Sequence, residues 1–200
     1  MGETFHLRKR GGGLLIRLRY GNTNTFLIPA ARGCLLLDTG YAGSLPAIYR
    51  AIRQAGIKVP EITYVLATHY HPDHMGLIPE LMKQGVKLLL IDTQMNSVHF
   101  SDYIFARDRL PFEPIDETKA TVVSCADSRE FLAGIGIGGE IISTPSHSPD
   151  SISLVLDDGS CFVGDLQPWE YMDEENGAVQ ADWVKVHRFQ PRRVFYAHAN

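Results

Sequence analysis

The stretch Thr68-His69-Tyr70-His71-Pro72-Asp73-His74 puts four potential metal ligands within six positions. His69 and His71 are two apart, so on extended backbone they point to the same side. Pro72 disfavours helix at His71 and holds that segment extended or turning. Asp73 and His74 then stand where the next helix begins, so one short segment can present ligands to two neighbouring metal positions. In a chain of this composition, HxHxDH arises by chance about once in a thousand. Three more residues offer what such a site still lacks. They are His147 in Thr144-Pro145-Ser146-His147-Ser148-Pro149, Asp165 in Phe162-Val163-Gly164-Asp165, and His198 in Phe195-Tyr196-Ala197-His198. Each follows a predicted strand, as His69 does, and neighbouring strand ends are the natural place for a site to converge.

The elements that must position these residues can be read from periodicity and turn residues. Short strands are predicted at about 5–9, 14–20, 25–28 and 34–37, separated by Gly11-Gly12-Gly13, Gly21-Asn22 and Arg32-Gly33. A helix is predicted at 45–55, with Ser44 as its N-cap, Pro46 in the first turn and Gly56 as its stop. A buried strand at 62–68 follows, then a helix at 75–84 ending at Gly85 and a strand at 87–91. The aromatic-rich stretch 93–119 reads as an insertion or apolar lid. Strands near 120–124 and 139–144 come next. The arms 152–156 and 161–164 form a hairpin around Asp157-Asp158-Gly159-Ser160. A helix at 178–188 and a strand at 193–197 close the pattern. Strands first, then βα alternation, then strands and a late helix fit two mixed sheets with helices outside.

The 200 residues suit one domain, 1–200. Nineteen Lys and Arg against 23 Asp and Glu leave a formal charge of −4 and no long basic run, so nucleic acid is not an expected partner. Two bound dications would offset that charge and make the site locally positive. The 3 Cys are far apart, with no CxxC pair, so neither a disulfide framework nor a thiolate zinc site is expected. Cys34 and Cys161 read as small buried hydrophobes, which points to a reducing cytoplasm. Arg17 and Arg19 break the N-terminal apolar stretch before it reaches signal-peptide length. No apolar run approaches the ~18 residues of a membrane span.

The chain resembles the metallo-β-lactamase-fold metallohydrolases, the superfamily of glyoxalase II, acyl-homoserine lactonases and zinc β-lactamases. The resemblance runs through Asn24-Thr25-Phe26-Leu27-Ile28, Leu35-Leu36-Leu37-Asp38-Thr39-Gly40, the HxHxDH block, His147, Asp165 and His198, in the family's order. It implies an α/β fold, a four-layer αβ/βα sandwich of two mixed β-sheets with helices on the outer faces. It also implies two divalent ions, zinc first with iron or manganese as alternatives. His69, His71 and His147 would hold one, Asp73, His74 and His198 the other, and Asp165 would bridge both. Imidazole and carboxylate ligands without thiolates suit these metals, and such a ligand count leaves positions open for water and substrate. A hydroxide shared by two such ions could attack a carbonyl or phosphoryl carbon or phosphorus at neutral pH. Asp73 and Asp165 are the carboxylates expected to take part, with Asp73 orienting that hydroxide. Asp38 resembles the family's carboxylate behind the ligands, where it would orient a ligand histidine.

His6, His99 and His187 fall outside this ligand set, and Tyr103, Tyr171 and Tyr196 are candidates to polarise a carbonyl or protonate a leaving group. Where many relatives carry glycine around the third histidine, this chain has Ser146 and Asp150, so the loop is expected to differ in shape. Pro72 stands where flavodiiron proteins have a glutamate ligand. With two residues given after His198, the glutathione-binding helical segment of glyoxalase II is not expected, nor is a glyoxalase II activity proper. The expected reaction is hydrolysis of an ester, thioester, lactone or lactam of a small molecule. The alternatives are a small phosphodiester as substrate, or a mono-iron, persulfide-type dioxygenase using His69, His147 and Asp165. Oligomeric state is not encoded in these motifs.

Overall fold

The computed structural model describes residues 5–8, 14–171 and 176–198. Two mixed sheets face each other. The first has seven strands in sequence order: β1 (Phe5–Arg8), β2 (Leu14–Leu18), β3 (Thr25–Pro29), β4 (Cys34–Leu37), β5 (Ile62–Leu66), β6 (Lys87–Ile91) and β7 (Thr121–Val123). Strands β1 to β4 pair antiparallel, and β4 to β7 pair parallel. The second sheet has the order β11-β10-β9-β8, built from β8 (Gly139–Ser143), β9 (Ile152–Leu156), β10 (Ser160–Phe162) and β11 (Arg193–Phe195). Strand β11 runs parallel to β10, and the other two pairs are antiparallel.

The uninterrupted apolar runs follow from burial on both faces. In β4, Leu35 and Leu37 point between the sheets, while Cys34 and Leu36 face the outer helices. Leu89 and Ile91 of β6 point inward, and Leu88 and Leu90 outward. From the second sheet, Ile141, Ile152, Leu154, Leu156 and Phe162 fill the same central layer. Helices α1 (Leu45–Gln54) and α3 (Ile78–Lys83) cover the outer face of the first sheet through Ile48, Ile52, Ile78 and Leu81. Helix α6 (Gly177–His187) covers the second through Val179, Trp183 and Val186, packed on Val155, Cys161 and Val163. The result is the expected four-layer αβ/βα sandwich.

Three local readings change. The helix expected at 75–84 is two short ones, α2 (Pro72–Met75) and α3. The break is tertiary: the Gly76 N–H leaves the helical ladder to bond Gly40 O at 3.0 Å, and Pro79 opens α3 instead of continuing a helix. A β-carbon on Gly76 would stand 2.3 Å from Ala42 N, so only glycine permits this approach. Ser44 does sit at the N-cap of α1, yet its hydroxyl donates back to Tyr41 O at 2.6 Å and caps nothing. Finally, the stretch after β6 is ordered: it carries helix α4 (Asp102–Arg107) and buries Val98, Phe105 and Ile115 in the core. A further helix, α5 (Ser128–Gly134), precedes β8. The Gly11-Gly12-Gly13 turn and the side chain of His6 lie outside the described residues. All three cysteines are free, with Cys34 and Cys161 buried. Among the described residues, no helix is long and apolar enough to cross a membrane.

Candidate metal centre

Seven side chains named from the sequence meet where strands of both sheets end. His69 and His71 follow β5, Asp73 and His74 lie on α2, His147 is on the β8–β9 loop, Asp165 follows β10, and His198 follows β11. The His69 and His71 rings are 4.5 Å apart and the His69 and His147 rings 4.7 Å. His147 Nε2 is 3.1 Å from His71 Nδ1. On the other side, His198 Nε2 is 3.1 Å from Asp73 Oδ2. Asp165 lies between the two halves. Its Oδ2 is 3.4 Å from His74 Nε2, 3.6 Å from His147 Nε2 and 3.9 Å from His69 Nε2, and its Oδ1 is 3.4 Å from His198 Nε2.

Behind this cluster is a node that holds the rings in place. Asp38 follows β4, which pairs parallel with β5, so its carboxylate meets Thr68 at the neighbouring strand end. The Thr68 N–H donates to Asp38 Oδ1 at 2.7 Å, and its hydroxyl lies 3.0 Å from Oδ2. The same oxygen is 3.1 Å from His74 Nδ1. A proton on Nδ1 therefore turns Nε2 of His74 toward Asp165. Asp38 adopts φ +58°, a conformation that aspartate tolerates better than most residues, and its N–H is anchored on Leu66 O. His198 is fixed in the same manner: its Nδ1 lies 3.1 Å from Asn22 O, leaving Nε2 for the cluster.

Electrostatics separate the histidines. Burial, followed by the other imidazoles, pushes His69 far below the usual histidine range, so it is neutral. Burial also pulls His74 down, but the carboxylates of Asp38 and Asp165 beside it outweigh that and carry it up to about 10. Burial acts to raise Asp165. The close approach of His74, followed by the other imidazoles, overcomes it and holds the carboxyl below its ordinary value. His147 is lowered, chiefly by burial.

The ligand atoms form three triads, each within 4.8 Å: His69–His71–His147, His69–His74–Asp165 and Asp73–His74–His198. Three buried atoms of this set, His69 Nε2, His74 Nε2 and Asp165 Oδ1, have no hydrogen-bond partner of acceptable geometry. Such atoms are costly in a folded interior. Their convergence, and a donor set of imidazole and carboxylate, fit a divalent metal ion.

The superfamily profile for metallo-beta-lactamases matches residues 18–198. The chain belongs to the metallo-beta-lactamase superfamily. Members of this superfamily are generally metal-dependent hydrolases. The Drosophila melanogaster homolog of beta-lactamase-like protein 2 is 26% identical over 186 residues, 89% of this chain and 59% of that protein. Lactamase-like protein nscB of Arthroderma gypseum is 29% identical over 173 residues, 82% of this chain and 46% of that protein. The chain thus spans about half the length of these curated relatives. Among solved metallo-beta-lactamase structures, BJP-1, a subclass B3 enzyme of Bradyrhizobium japonicum, superposes with a TM-score of 0.67 at 20% identity, covering 92% of this chain and 74% of that one. TTHA1623, solved in a di-iron-bound form, gives 0.66 at 18% identity, covering 89% and 88%. These likenesses establish the shared fold.

The remaining histidines lie apart. His187 packs against Trp169 and Trp183, ring centroids 5.3 Å away in each case. His99 sits between Asp102 and Glu117 at 2.8 and 3.2 Å, and its neighbour Phe100 stacks on His71 at 5.4 Å. Of the three candidate tyrosines, Tyr103 and Tyr171 are largely exposed, while Tyr196 lines the cleft beside Asp165 and His198.

Several supporting residues were given no role in the sequence reading. Thr68 joins Asp38 to the histidines. Asn24 donates from its backbone to Ala197 O at 2.7 Å and from its side chain to Tyr196 O at 3.0 Å, stitching β3 to the end of β11. Asp150 is buried, and its Oδ2 accepts the Tyr70 N–H at 2.7 Å, between His69 and His71. Gln94 reinforces that junction, donating to Ala67 O at 3.0 Å and Asp150 O at 3.3 Å. Neither Ser146 nor Asp150 has positive φ, so the missing glycines reflect a different set of bonds. The Ser146 N–H donates to Asp182 Oδ2 of α6 at 2.7 Å.

Proposed function

We propose that this chain is a metal-dependent hydrolase acting on the carbonyl of a small-molecule ester, thioester, lactone or lactam. In this reading His69, His71 and His147 hold one divalent ion, Asp73, His74 and His198 hold a second, and Asp165 is shared. Zinc suits this donor set best, with iron or manganese next. The observation that carries the reading is Asp165. Its two oxygens lie within 3.4–3.9 Å of four imidazoles drawn from both halves of the cluster, and one of those oxygens has no hydrogen bond. When bound, the ions supply a Lewis acid for the substrate oxygen and lower the pKa of water to about 7.

The protein's own groups do the rest. Asp38 and Thr68 fix the His74 ring, and Asn22 O fixes the His198 ring, so the donor atoms are set before any ligand arrives. Asp73 is partly exposed beside His198 and reached by the Thr23 hydroxyl at 3.4 Å. It accepts a hydrogen bond from the attacking water and orients it. Phe100 stands beside His71, with the ring centroids 5.4 Å apart, and offers an apolar wall on that flank. Among the described residues, no lysine or arginine lines the adjoining cleft, which favours a carbonyl over a phosphodiester, whose charge calls for cationic partners. The three free cysteines support a reducing, cytoplasmic location.

The test is metal analysis of protein purified without added metal, combined with hydrolysis of an ester, thioester, lactone and β-lactam panel by zinc, manganese and iron forms. Two metals per chain are expected, with activity lost in His69→Ala and Asp165→Ala and kept in His187→Ala. Full activity in metal-free protein would overturn the reading. One iron per chain with oxygen uptake would replace it by the oxygenase alternative.

A further inference from the structure

We infer that the part of the substrate beyond its scissile carbonyl is an uncharged apolar chain, seated against Gly164, Leu166, Pro168 and Tyr196; this rests on the hydrolase reading above. A cavity of about 300 Å³ opens directly on the cluster, sharing His147, Asp165 and His198 with it. Beyond those three residues its wall is formed by the four named here, which run from the end of β10 to the end of β11. The volume is at the low end of small-molecule pockets, roughly 300–1,000 Å³, which limits the occupant to a short chain or single ring.

Charge decides the class. Among the described residues, no lysine or arginine lines this cavity. A carboxylate or phosphate carried away from the cluster would lose water there and find no cation. An alkyl or aryl group loses nothing and buries apolar area. The opposite flank points the same way. Phe100 stands beside His71 with 58% of its surface exposed, a large apolar ring left open at the mouth of a polar cluster. Its neighbours Val98 and Ser101 are buried, and the Ser101 hydroxyl is bonded to Tyr70 O at 2.6 Å, so the backbone carrying Phe100 is anchored to the histidine segment itself. A substrate whose carbonyl meets the cluster therefore has an apolar surface on either side.

The experiment compares p-nitrophenyl acetate, butyrate and hexanoate with the matching hemisuccinate on the zinc-loaded protein. Hydrophobic transfer sets an upper bound of about fourfold per methylene on the gain in kcat/KM. The expectation is a rise of at least fivefold from acetate to hexanoate, and a hemisuccinate rate below that of butyrate. Phe100→Ala, at an exposed position, should lower the ratio of the hexanoate rate to the acetate rate severalfold. Pro168→Arg should reverse the order of butyrate and hemisuccinate. Binding is read separately through tryptophan fluorescence, because Trp169 adjoins Pro168: 1-hexanol should quench it at lower concentration than succinamate, and Pro168→Arg should abolish that difference. Hydrolysis with no chain-length dependence and no penalty for the hemisuccinate would overturn the apolar subsite. If none of these esters is cleaved, the wider panel decides the hydrolase reading, and the fluorescence titration alone upholds or overturns the subsite.

Discussion

Asp150 is the position where one side chain ties the His69–His71 segment to the loop that carries His147, and its removal should be felt in both stability and metal binding. The carboxylate accepts the Tyr70 N–H at 2.7 Å, with Tyr70 1% and Asp150 4% exposed. A hydrogen bond to a charged partner contributes about 1.5–3 kcal/mol, and an orphaned buried N–H costs about 1–3 kcal/mol. Asp150→Ala removes the acceptor and leaves the donor buried, so a loss of about 2–3 kcal/mol is expected. Asp150→Asn keeps an acceptor oxygen but loses the charge, and about 1 kcal/mol is expected. The assay is urea unfolding of the metal-free proteins followed by circular dichroism. The same bond sets where His69 and His71 stand relative to the loop that carries His147. Zinc affinity, measured by competition with a chromogenic chelator, should therefore fall about tenfold or more in the alanine variant. An alanine variant within 0.5 kcal/mol of the parent would refute the bond's energetic role, because the Tyr70 N–H would then have found another partner. A stability loss with unchanged zinc affinity would refute the link to the cluster.

Asp38→Asn should lower zinc affinity about 10- to 100-fold and also lower the unfolding midpoint of metal-free protein at neutral pH, since the amide can still accept from the Thr68 N–H but no longer faces His74 with a charge. Gly76→Ala should destabilise by about 2–3 kcal/mol or fail to fold, because the new methyl would stand 2.3 Å from Ala42 N and 2.7 Å from Gly40 O, both backbone atoms. Gly85→Ala is the control: its φ of +89° carries a conformational cost of about 1 kcal/mol, and nothing lies within 4 Å of the added carbon. Dialysis against a chelator should lower the melting temperature, and zinc at 100 times its dissociation constant should return about 2.7 kcal/mol; a melting temperature indifferent to zinc would refute the metal assignment.

The candidate ligand set was legible because chemistry restricts metal donors to a few residue types, and because these residues stand at strand ends. His69 and His71 could be paired from spacing alone, since alternation along an extended segment is a local property. His147, Asp165 and His198 are far apart in sequence; their places after predicted strands suggested one rim, and the resemblance to the metallo-β-lactamase-fold hydrolases joined them into a single set. The sheets themselves were visible as apolar runs such as Cys34–Leu37 and Lys87–Ile91, and the doubly buried alternation of Leu35 with Leu36 accounts for why those runs show no polar face.

The supports were harder to read, because many residue types can perform their task. The Tyr70 N–H needs only an acceptor, which any polar side chain or carbonyl might be, and the one it uses lies 80 residues away on the opposite sheet. Asp150 stood out in the sequence as a departure from glycine, yet the expected consequence was a change in loop angles. The structure gives it ordinary backbone angles and a buried carboxylate bonded to the histidine segment. The break between α2 and α3 has the same origin. Gly76 is compatible with a helix locally, and the bond to Gly40 O that interrupts it exists only once the loop after β4 packs against it. That loop also carries Asp38, so the contact that breaks the helix is the one that brings the carboxylate within 3.1 Å of His74. A continuous helix over 75–84 would satisfy local propensity and forgo that approach, which is why helix propensity loses here to the geometry of the cluster.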